Sequence, residues 1–370
     1  MKVMVLSSFT TSLFWFRIDM MKSFLKEGCE VIAVGDGTED EWKSKFAEMG
    51  IKYYQIPVQR NGTNPLLDLK TLVSIYKLLR NEKPDKIFTY QAKTVIYGGI
   101  AARLLKISDV YPLIAGVGSI FLGDGLKKRL LRSILTLEYK LGLNKAKNVF
   151  FQNKDDLEVF TSRNIVSKEN VVMINGSGVN IDNFKFMNLP REISFLCISR
   201  LIKDKGVFEY LEASRKLHKI YPNIKFALVG PYDTNPSAIK PEELQPYIDD
   251  ESIVYFGEQK DVYPYLCNCT AYVLPSYHEG TPKTVLEAMA TGRPVITTDA
   301  PGCRETVTEG INGYLVPIMD VDAIVKAMIE VIDNPEKNKI MAQNARSIAE
   351  QKYDVNKVND IIKKTMGIKE

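Results

Sequence analysis

The chain has 370 residues, 45% of them hydrophobic and 25% charged, with a formal net charge of +4. That apolar content suits two globular domains and excludes a disordered or fibrous chain, while basic residues spread along the sequence give little support to nucleic-acid binding. The five cysteines, Cys29, Cys197, Cys267, Cys269 and Cys303, are scattered, and Cys267-Asn-Cys269 has neither zinc-ligand nor thioredoxin spacing, so a reduced cytoplasm fits best.

The sequence opens on a strand-like Lys2-Val-Met-Val-Leu6, and no later stretch approaches the length of an apolar membrane span. The expectation is a cytoplasmic protein that is not exported and whose membrane contact is peripheral. From Met1 to about Ile174 short strands alternate with helix-length segments: Val3 to Leu6, Glu30 to Val34, Lys52 to Ile56, Lys86 to Tyr90, Val110 to Ile114, Asn148 to Phe151 and Val171 to Ile174. Gly28 and Gly50 stand where helix ends need a left-handed residue. The pattern predicts a doubly wound α/β domain with a parallel sheet.

The loop after the first strand, Ser7 to Arg17, lies at a carboxyl end, where such sheets bind ligands. Ser7 and Thr10 offer hydroxyls and amides there. Phe14, Trp15 and Phe16 suit either ordinary helix packing or stacking on a bound molecule, and Arg17, a charge embedded beside aromatics, needs a partner. A second loop, Ala115-Gly116-Val117-Gly118-Ser119, lacks the rest of a dinucleotide fingerprint and implies no NAD. Leu126 to Leu143 crowds Lys127, Lys128, Arg129 and Arg132 at its start and carries more leucine and isoleucine than one core-facing stripe requires. It could rest on an anionic membrane surface or pack on the sheet with its lysines in water.

Asn175 to Phe184, with two glycines, breaks the alternation and suits a hinge. The expected division is 1–180, then 181–350, then a helix-like basic tail over 351–370. Past the hinge a strand over Ile193 to Ile198 leads into Ser199-Arg200-Leu-Ile-Lys-Asp-Lys205-Gly206 and a helix from Val207, so that two cations flank a helix N-terminus. Arg200 with a planar fork and Lys205 with a point charge suit a diphosphate. Strands over Lys225 to Val229 and Ile253 to Phe256 end in Gly230-Pro231 and in a loop containing Gln259 and Lys260.

Ala271 to Thr298 then reads strand, elbow, helix, strand. Pro275 stops the first apolar run, Thr281 and Pro282 predict an N-cap and first helical residue, and Gly292 with Pro294 ends the helix before Val295 to Thr298. Glu279 in the elbow and Glu287, about one and a half turns into the helix, are out of place against this apolar background. One reading makes Glu279 a solvated loop residue and pairs Glu287 with Lys283 one turn earlier. The other has both carboxylates accept hydrogen bonds from sugar or ribose hydroxyls beside a helix N-terminus that faces phosphate. The only histidines, His218 and His278, and the pair Asp249-Asp250 form no metal site, so no metal or cofactor is expected.

Context favours the second reading. Glu279-Gly-Thr-Pro-Lys-Thr-Val-Leu-Glu287-Ala-Met-Ala-Thr-Gly-Arg-Pro-Val-Ile resembles the donor-site signature of family 4 glycosyltransferases, and the likeness runs on through Thr298-Asp-Ala-Pro-Gly-Cys-Arg-Glu305 and Gly310-Ile-Asn-Gly-Tyr-Leu-Val-Pro317. The resemblance implies a GT-B fold, two Rossmann-like doubly wound domains facing a cleft, the first taking the acceptor and the second the nucleotide sugar. It implies that Arg200 and Lys205 contact the donor phosphates, Glu279 orients donor-sugar hydroxyls and Glu287 holds the ribose of UDP. Ser199, Thr281, Pro282, Lys283, Gln259 and Lys260 complete the donor side, with backbone around Gln259 and Lys260 reading the base.

On the acceptor or cleft side the resemblance points to Ser7, Thr10, Arg17, Gly116 and Gly118. Related enzymes often carry glycine where this chain has Ser7 to Thr10, and the histidine that some place near Gly116 is missing. The tail is expected to cross back to the first domain. More narrowly, the chain resembles bacterial enzymes that add a hexosyl or N-acetylhexosaminyl group to polyprenyl-diphosphate-linked saccharides, with retention and at the inner membrane face. A nucleotide-sugar epimerase of the same fold is the alternative, and a silent sugar-nucleotide binder would usually have lost one of Arg200, Lys205, Glu279 or Glu287.

Overall fold

The computed structural model describes residues 1–59, 64–117, 121, 125–235 and 237–368, apart from the side chains of 126–128. The chain divides into two compact units, Met1–Ser177 with Lys357–Glu370, and Gly178–Asn356.

The first unit is built on a parallel sheet of β1 (Lys2–Ser7), β2 (Glu30–Gly35), β3 (Lys52–Gln55), β4 (Lys86–Tyr90), β5 (Val110–Ile114), β6 (Val149–Phe151) and β7 (Val171–Met173). Their order is β3-β2-β1-β4-β5-β6-β7. Each expected strand forms: the inner ones carry apolar runs buried by the helices that alternate with them, while the edge strands β3 and β7 are only partly buried. Those helices are α1 (Thr10–Lys26), α2 (Glu39–Ala47), α3 (Pro65–Glu82), α4 (Ala92–Leu104), α5 (Leu126–Leu143) and α6 (Lys154–Ser162). Leu13, Phe24, Trp42 and Phe46 from α1 and α2 fill one apolar layer, and Ile75, Leu79, Val95 and Leu143 from α3, α4 and α5 fill the other.

The strand order reverses between β1 and β4, so the loops leaving these two strands flank the switch point where ligands bind in such sheets. Helices α4 and α5 meet closely at Gly99 and Gly142. A Cβ on Gly99 would lie 1.9 Å from the Gly142 carbonyl oxygen, an approach that only glycine permits. With its inner face so used, α5 leaves Leu130, Ile134, Leu137 and Leu141, spaced four, three and four residues apart, 41–65% exposed.

The second unit repeats the plan with β8 (Ser194–Ile198), β9 (Lys225–Val229), β10 (Val254–Tyr255), β11 (Ala271–Leu274), β12 (Val295–Thr298) and β13 (Gly313–Val316), ordered β10-β9-β8-β11-β12-β13. All pair in parallel. Its helices are α7 (Val207–His218), α8 (Pro241–Asp249), α9 (Tyr263–Cys267), α10 (Lys283–Ala290), α11 (Val321–Asp333) and α12 (Pro335–Ile348). Helix α10 begins one residue later than the sequence suggests. Pro282, at φ −71° and ψ 112°, is itself the extended cap residue, and its carbonyl opens the helix by accepting from Leu286 N at 3.3 Å. Gly292, at φ 82°, closes it as expected.

The chain passes from the first unit to the second at Ser177–Gly178 and back at Asn356–Lys357, a few residues from the expected 180 and 350. Beside these passages Val179 N donates to Tyr353 O at 2.8 Å and Val355 N to Val179 O at 3.0 Å. The last helix, α13 (Val355–Met366), buries Val358, Ile362 and Met366 in the same apolar layer as Val3, Val5 and Phe24. There Lys363 Nζ reaches Glu27 Oε1 at 2.7 Å, so residues 357–368 pack as part of the first unit.

Candidate active site

In the second unit the predicted donor residues gather on loops at the carboxyl ends of β8, β9, β10 and β11. The loop after β8 and the elbow after β11 are joined backbone to backbone. Tyr277 N donates to Asp204 O at 3.0 Å, and Ser276 Oγ donates to the same oxygen at 3.2 Å. Gly206, at φ 67°, makes this possible, since a Cβ there would lie 2.0 Å from Pro275 O. The result is an ion pair between Lys205 Nζ and Glu279 Oε1, both mostly shielded from solvent.

The elbow is fixed from its other side as well. Glu279 N donates to Pro301 O at 2.9 Å, and a Cβ on Gly302, at φ 79°, would meet Glu279 O at 2.1 Å. Arg200 is held separately: its Nη1 donates to Asp233 Oδ2 at 2.7 Å, and Asp233 Oδ1 accepts from Asn235 N at 2.8 Å. Asp233 was not singled out from sequence, although Gly230-Pro231 just before it marks a loop at the same end of the sheet. Gly230 N bonds Gly257 O at 2.8 Å, which ties that loop to the one carrying Gln259 and Lys260. Gln259 Nε2 caps Phe256 O at 2.7 Å, while Lys260 is exposed.

Glu287 is the buried member of the group, 7% exposed on α10. Lys283 Nζ lies 3.8 Å from its Oε1, so the intrahelical pair exists, but inside a buried setting rather than on a solvated face. Desolvation pushes the Glu287 carboxyl up to about 7, Lys283 opposes this, and the negative charge of Asp261 adds to it. Ser199 follows β8, half-buried, and Thr281 and Lys283 are half-buried beside the buried Pro282. His278 is half-buried next to Glu279.

The first unit gathers fewer of its expected residues. Ser7 Oγ donates to Gln91 Oε1 at 2.9 Å, and Gly116 lines a cavity together with Gln91. Thr10 is committed to holding its own loop: N and Oγ1 bond Asp36 Oδ1 at 2.7 and 3.0 Å, and Gly37 N donates to Oγ1 at 2.7 Å. Arg17 is 3% exposed, and the partner it finds is the Tyr90 ring, 5.1 Å from its guanidinium carbon. Desolvation lowers it to about 10. Phe14 packs on Trp42 and Phe46 at 5.6 and 5.8 Å, whereas Trp15 and Phe16 stay exposed. Gly118 lies outside the described residues. Among the described residues no group of three or more His, Cys, Asp and Glu stands together to hold a metal, and no helix is long and apolar enough to cross a membrane.

Carboxylates that can accept sugar hydroxyls, set beside cations that can bind phosphate, suit a nucleotide sugar. The family model described as "Glycosyl transferases group 1" matches residues 180–348, and that described as "Glycosyl transferase 4-like" matches residues 2–153. The chain is 29% identical to the N,N'-diacetylbacillosaminyl-diphospho-undecaprenol alpha-1,3-N-acetylgalactosaminyltransferase of Campylobacter jejuni, over 96% of both chains. It is 25% identical to the UDP-Gal:alpha-D-GlcNAc-diphosphoundecaprenol alpha-1,3-galactosyltransferase of Escherichia coli, over 86% of this chain and 84% of that one. Among solved structures, Anabaena HepE in complex with UDP and glucose shares the fold with a TM-score of 0.78 at 19% identity, over 99% of both chains. These matches are to transferases, which disfavours the epimerase alternative. With both units matched and each built as a Rossmann-like parallel sheet, the chain belongs to the family 4 glycosyltransferases of the GT-B fold.

Proposed function

We propose that this chain moves a hexosyl or N-acetylhexosaminyl group, with retention, from a UDP-sugar to a polyprenyl-diphosphate-linked saccharide in surface polysaccharide or glycan assembly. The observation that carries the reading is the Lys205–Glu279 pair beside Arg200, on loops at the carboxyl ends of one sheet. The Campylobacter and Escherichia relatives, both named for diphospho-undecaprenol substrates, support the acceptor class.

In this mechanism Arg200 and Lys205 neutralise the diphosphate as its bond to the anomeric carbon breaks. The acceptor hydroxyl oxygen bonds to that carbon on the same face, and its proton passes to the departing phosphate oxygen. Glu279 orients the donor-sugar hydroxyls and Glu287 accepts from the ribose. Ser199 and the Thr281, Pro282 and Lys283 segment face the phosphates, and backbone around Gln259 and Lys260 reads the uracil edge. No metal is required, since two cations already meet the diphosphate. On the acceptor side Ser7 and Gly116 contribute directly and Thr10 and Arg17 shape the loop.

The outer stripe of α5, with Leu130, Ile134, Leu137 and Leu141 exposed beside Arg129 and Lys140, supports peripheral contact with the cytoplasmic membrane face, where a lipid-linked acceptor resides. UDP release from a panel of UDP-sugars, with and without a short polyprenyl-diphosphate saccharide, tests the reading. Acceptor-dependent release with one donor supports it, and the anomeric configuration of the product decides retention. Release that ignores the acceptor, or none with any pair, overturns it.

A further inference from the structure

At the switch point of the first sheet lies a cavity of about 220 Å³, lined on its polar side by Ser8, Gln91 and Lys93 and elsewhere by residues such as Val95, Leu113 and Tyr139. Its volume is that of a small substituent or a single sugar, not of a nucleotide.

Gln91 links β4 to α4 at φ 72° and ψ 144°, a backbone region that is nearly closed to residues with a Cβ. Such a conformation persists only where the surroundings over-determine it, and they do. Its Oε1 accepts from Ser7 Oγ at 2.9 Å, Ser8 N at 3.0 Å and Ser8 Oγ at 2.8 Å. Ser8 N can only donate, which identifies the atom as the amide oxygen, so the Nε2 end, with two N–H donors, is the end left for a ligand.

The chemistry of the remaining wall narrows the ligand. Lys93 offers little net charge, because its ammonium is bound to Asp68 Oδ1 at 2.5 Å. Gly116, at φ 125°, adds backbone but no side chain. Val95, Leu113, Ile114 and Tyr139 present apolar surface. A bare hydroxyl would satisfy the amide and leave that surface facing water. A phosphate would find one neutral donor group and a neutralised lysine.

A group with a carbonyl oxygen and a methyl satisfies both halves of the wall. We infer that the cavity takes the acetamido group of an acceptor sugar, the carbonyl oxygen accepting from Gln91 Nε2 and the methyl packing on Val95, Leu113 and Tyr139. Gln91 thereby sets the acceptor class as an N-acetylated amino sugar. This rests on the transferase reading above and adds to it which sugar must carry the attacked hydroxyl.

The test uses the full chain and two short prenyl-diphosphate acceptors, one carrying N-acetylglucosamine and the other glucose. The wild type is expected to show a KM about tenfold or more lower for the acetamido acceptor. Gln91→Glu retains an oxygen for the three serine bonds and replaces the donor by a second acceptor, and Gln91→Gly removes the amide while relieving the backbone. Either variant should bring the two KM values together, with UDP affinity on the same samples reporting that the chain is folded. A wild type that takes both acceptors equally, or variants that keep the preference, overturns the inference.

Should neither acceptor be glycosylated by any donor, the transferase reading fails separately. Saturation transfer to the acetyl methyl of N-acetylglucosaminyl diphosphate then still decides the cavity. A signal lost in Gln91→Gly supports it, and a signal absent from the wild type or unchanged in the variant overturns it.

Discussion

The two units share one architecture and present opposite chemistry at the carboxyl ends of their sheets. In the second unit three cations of the candidate site are each answered by a carboxylate: Arg200 by Asp233, Lys205 by Glu279 and Lys283 by Glu287. In the first unit the cavity is set by neutral groups, Ser7, Ser8 and Gln91 hydrogen-bonding one another, and its Lys93 is turned to Asp68, while Thr10 is engaged by Asp36 and Gly37. The second arrangement suits a ligand that arrives with charge and displaces one partner of each pair. The first suits a neutral ligand read by dipoles and shape. A doubly wound sheet fixes where a ligand sits, and the loops decide its charge.

The largest effect should come from breaking the shielded pair in the second unit. Glu279→Ala is expected to lower kcat by about 10²–10³-fold while UDP still binds, since the residue acts on the sugar and on the placement of Lys205 rather than on the nucleotide. Lys205→Ala should cost as much and also weaken UDP. Turnover by Glu279→Ala at the wild-type rate, measured as UDP release with donor and acceptor saturating, would remove this pair from the mechanism.

Glu287 sharpens the comparison through pH. Folding raises its carboxyl from 4.5 to about 7, so the folded chain holds the proton more tightly than the unfolded one. As pH rises above about 4.5 the unfolded chain releases its proton first, and the fold loses stability until pH passes about 7. The full loss is on the order of 3 kcal/mol. Glu287→Gln should abolish this fall, so that urea unfolding without nucleotide shows the variant gaining on the wild type between pH 5 and pH 8. The same change should weaken UDP about tenfold at pH 8, where the ribose meets an ionised carboxylate in the wild type. A variant whose stability tracks the wild type at both pH values would show that this carboxyl is not held protonated by burial.

Much of this was legible in the residues. Each expected run of the first unit, from Val3 to Val171, became a strand, and the inner ones read well because a parallel strand covered on both faces must be continuously apolar; the edge strands β3 and β7, only partly buried, carried a weaker signal. Arg200, Lys205 and Glu279 could be picked out as candidates because they stand in polar loops directly after such runs. Asp233 was not, since an acidic loop residue carries no signal until the loop folds toward Arg200. Gln91 was hidden for a different reason: the role inferred for it rests on a backbone angle and on an amide fixed by two serines 83 and 84 residues away, which no local pattern records. The cap of α10 fell one residue late because proline serves as well in the extended cap position as in the first turn.

The exposed stripe of α5 predicts a smaller effect. Ile134→Asp puts a charge amid Leu130, Leu137 and Leu141, and binding to vesicles rich in anionic lipid, followed by sedimentation, should fall about tenfold. Activity on a detergent-soluble acceptor should be retained. Vesicle binding equal to that of the wild type would leave the stripe without a membrane role.

The smallest expected effect separates two kinds of ion pair within the second unit. Arg200 is more than a third exposed, so water already screens its attraction to Asp233, and such pairs are worth about 0–1 kcal/mol. A diphosphate can therefore displace Asp233 at little cost. Asp233→Asn keeps the oxygen that accepts from Asn235 N, replaces the one facing Arg200 by an NH2 group, and removes a negative charge that repels the incoming phosphates. The donor KM should fall, by about fivefold or less, with kcat unchanged. A KM that rises more than about tenfold would mean that Asp233 positions Arg200 for the donor, and the contrast with the shielded Lys205–Glu279 pair would disappear.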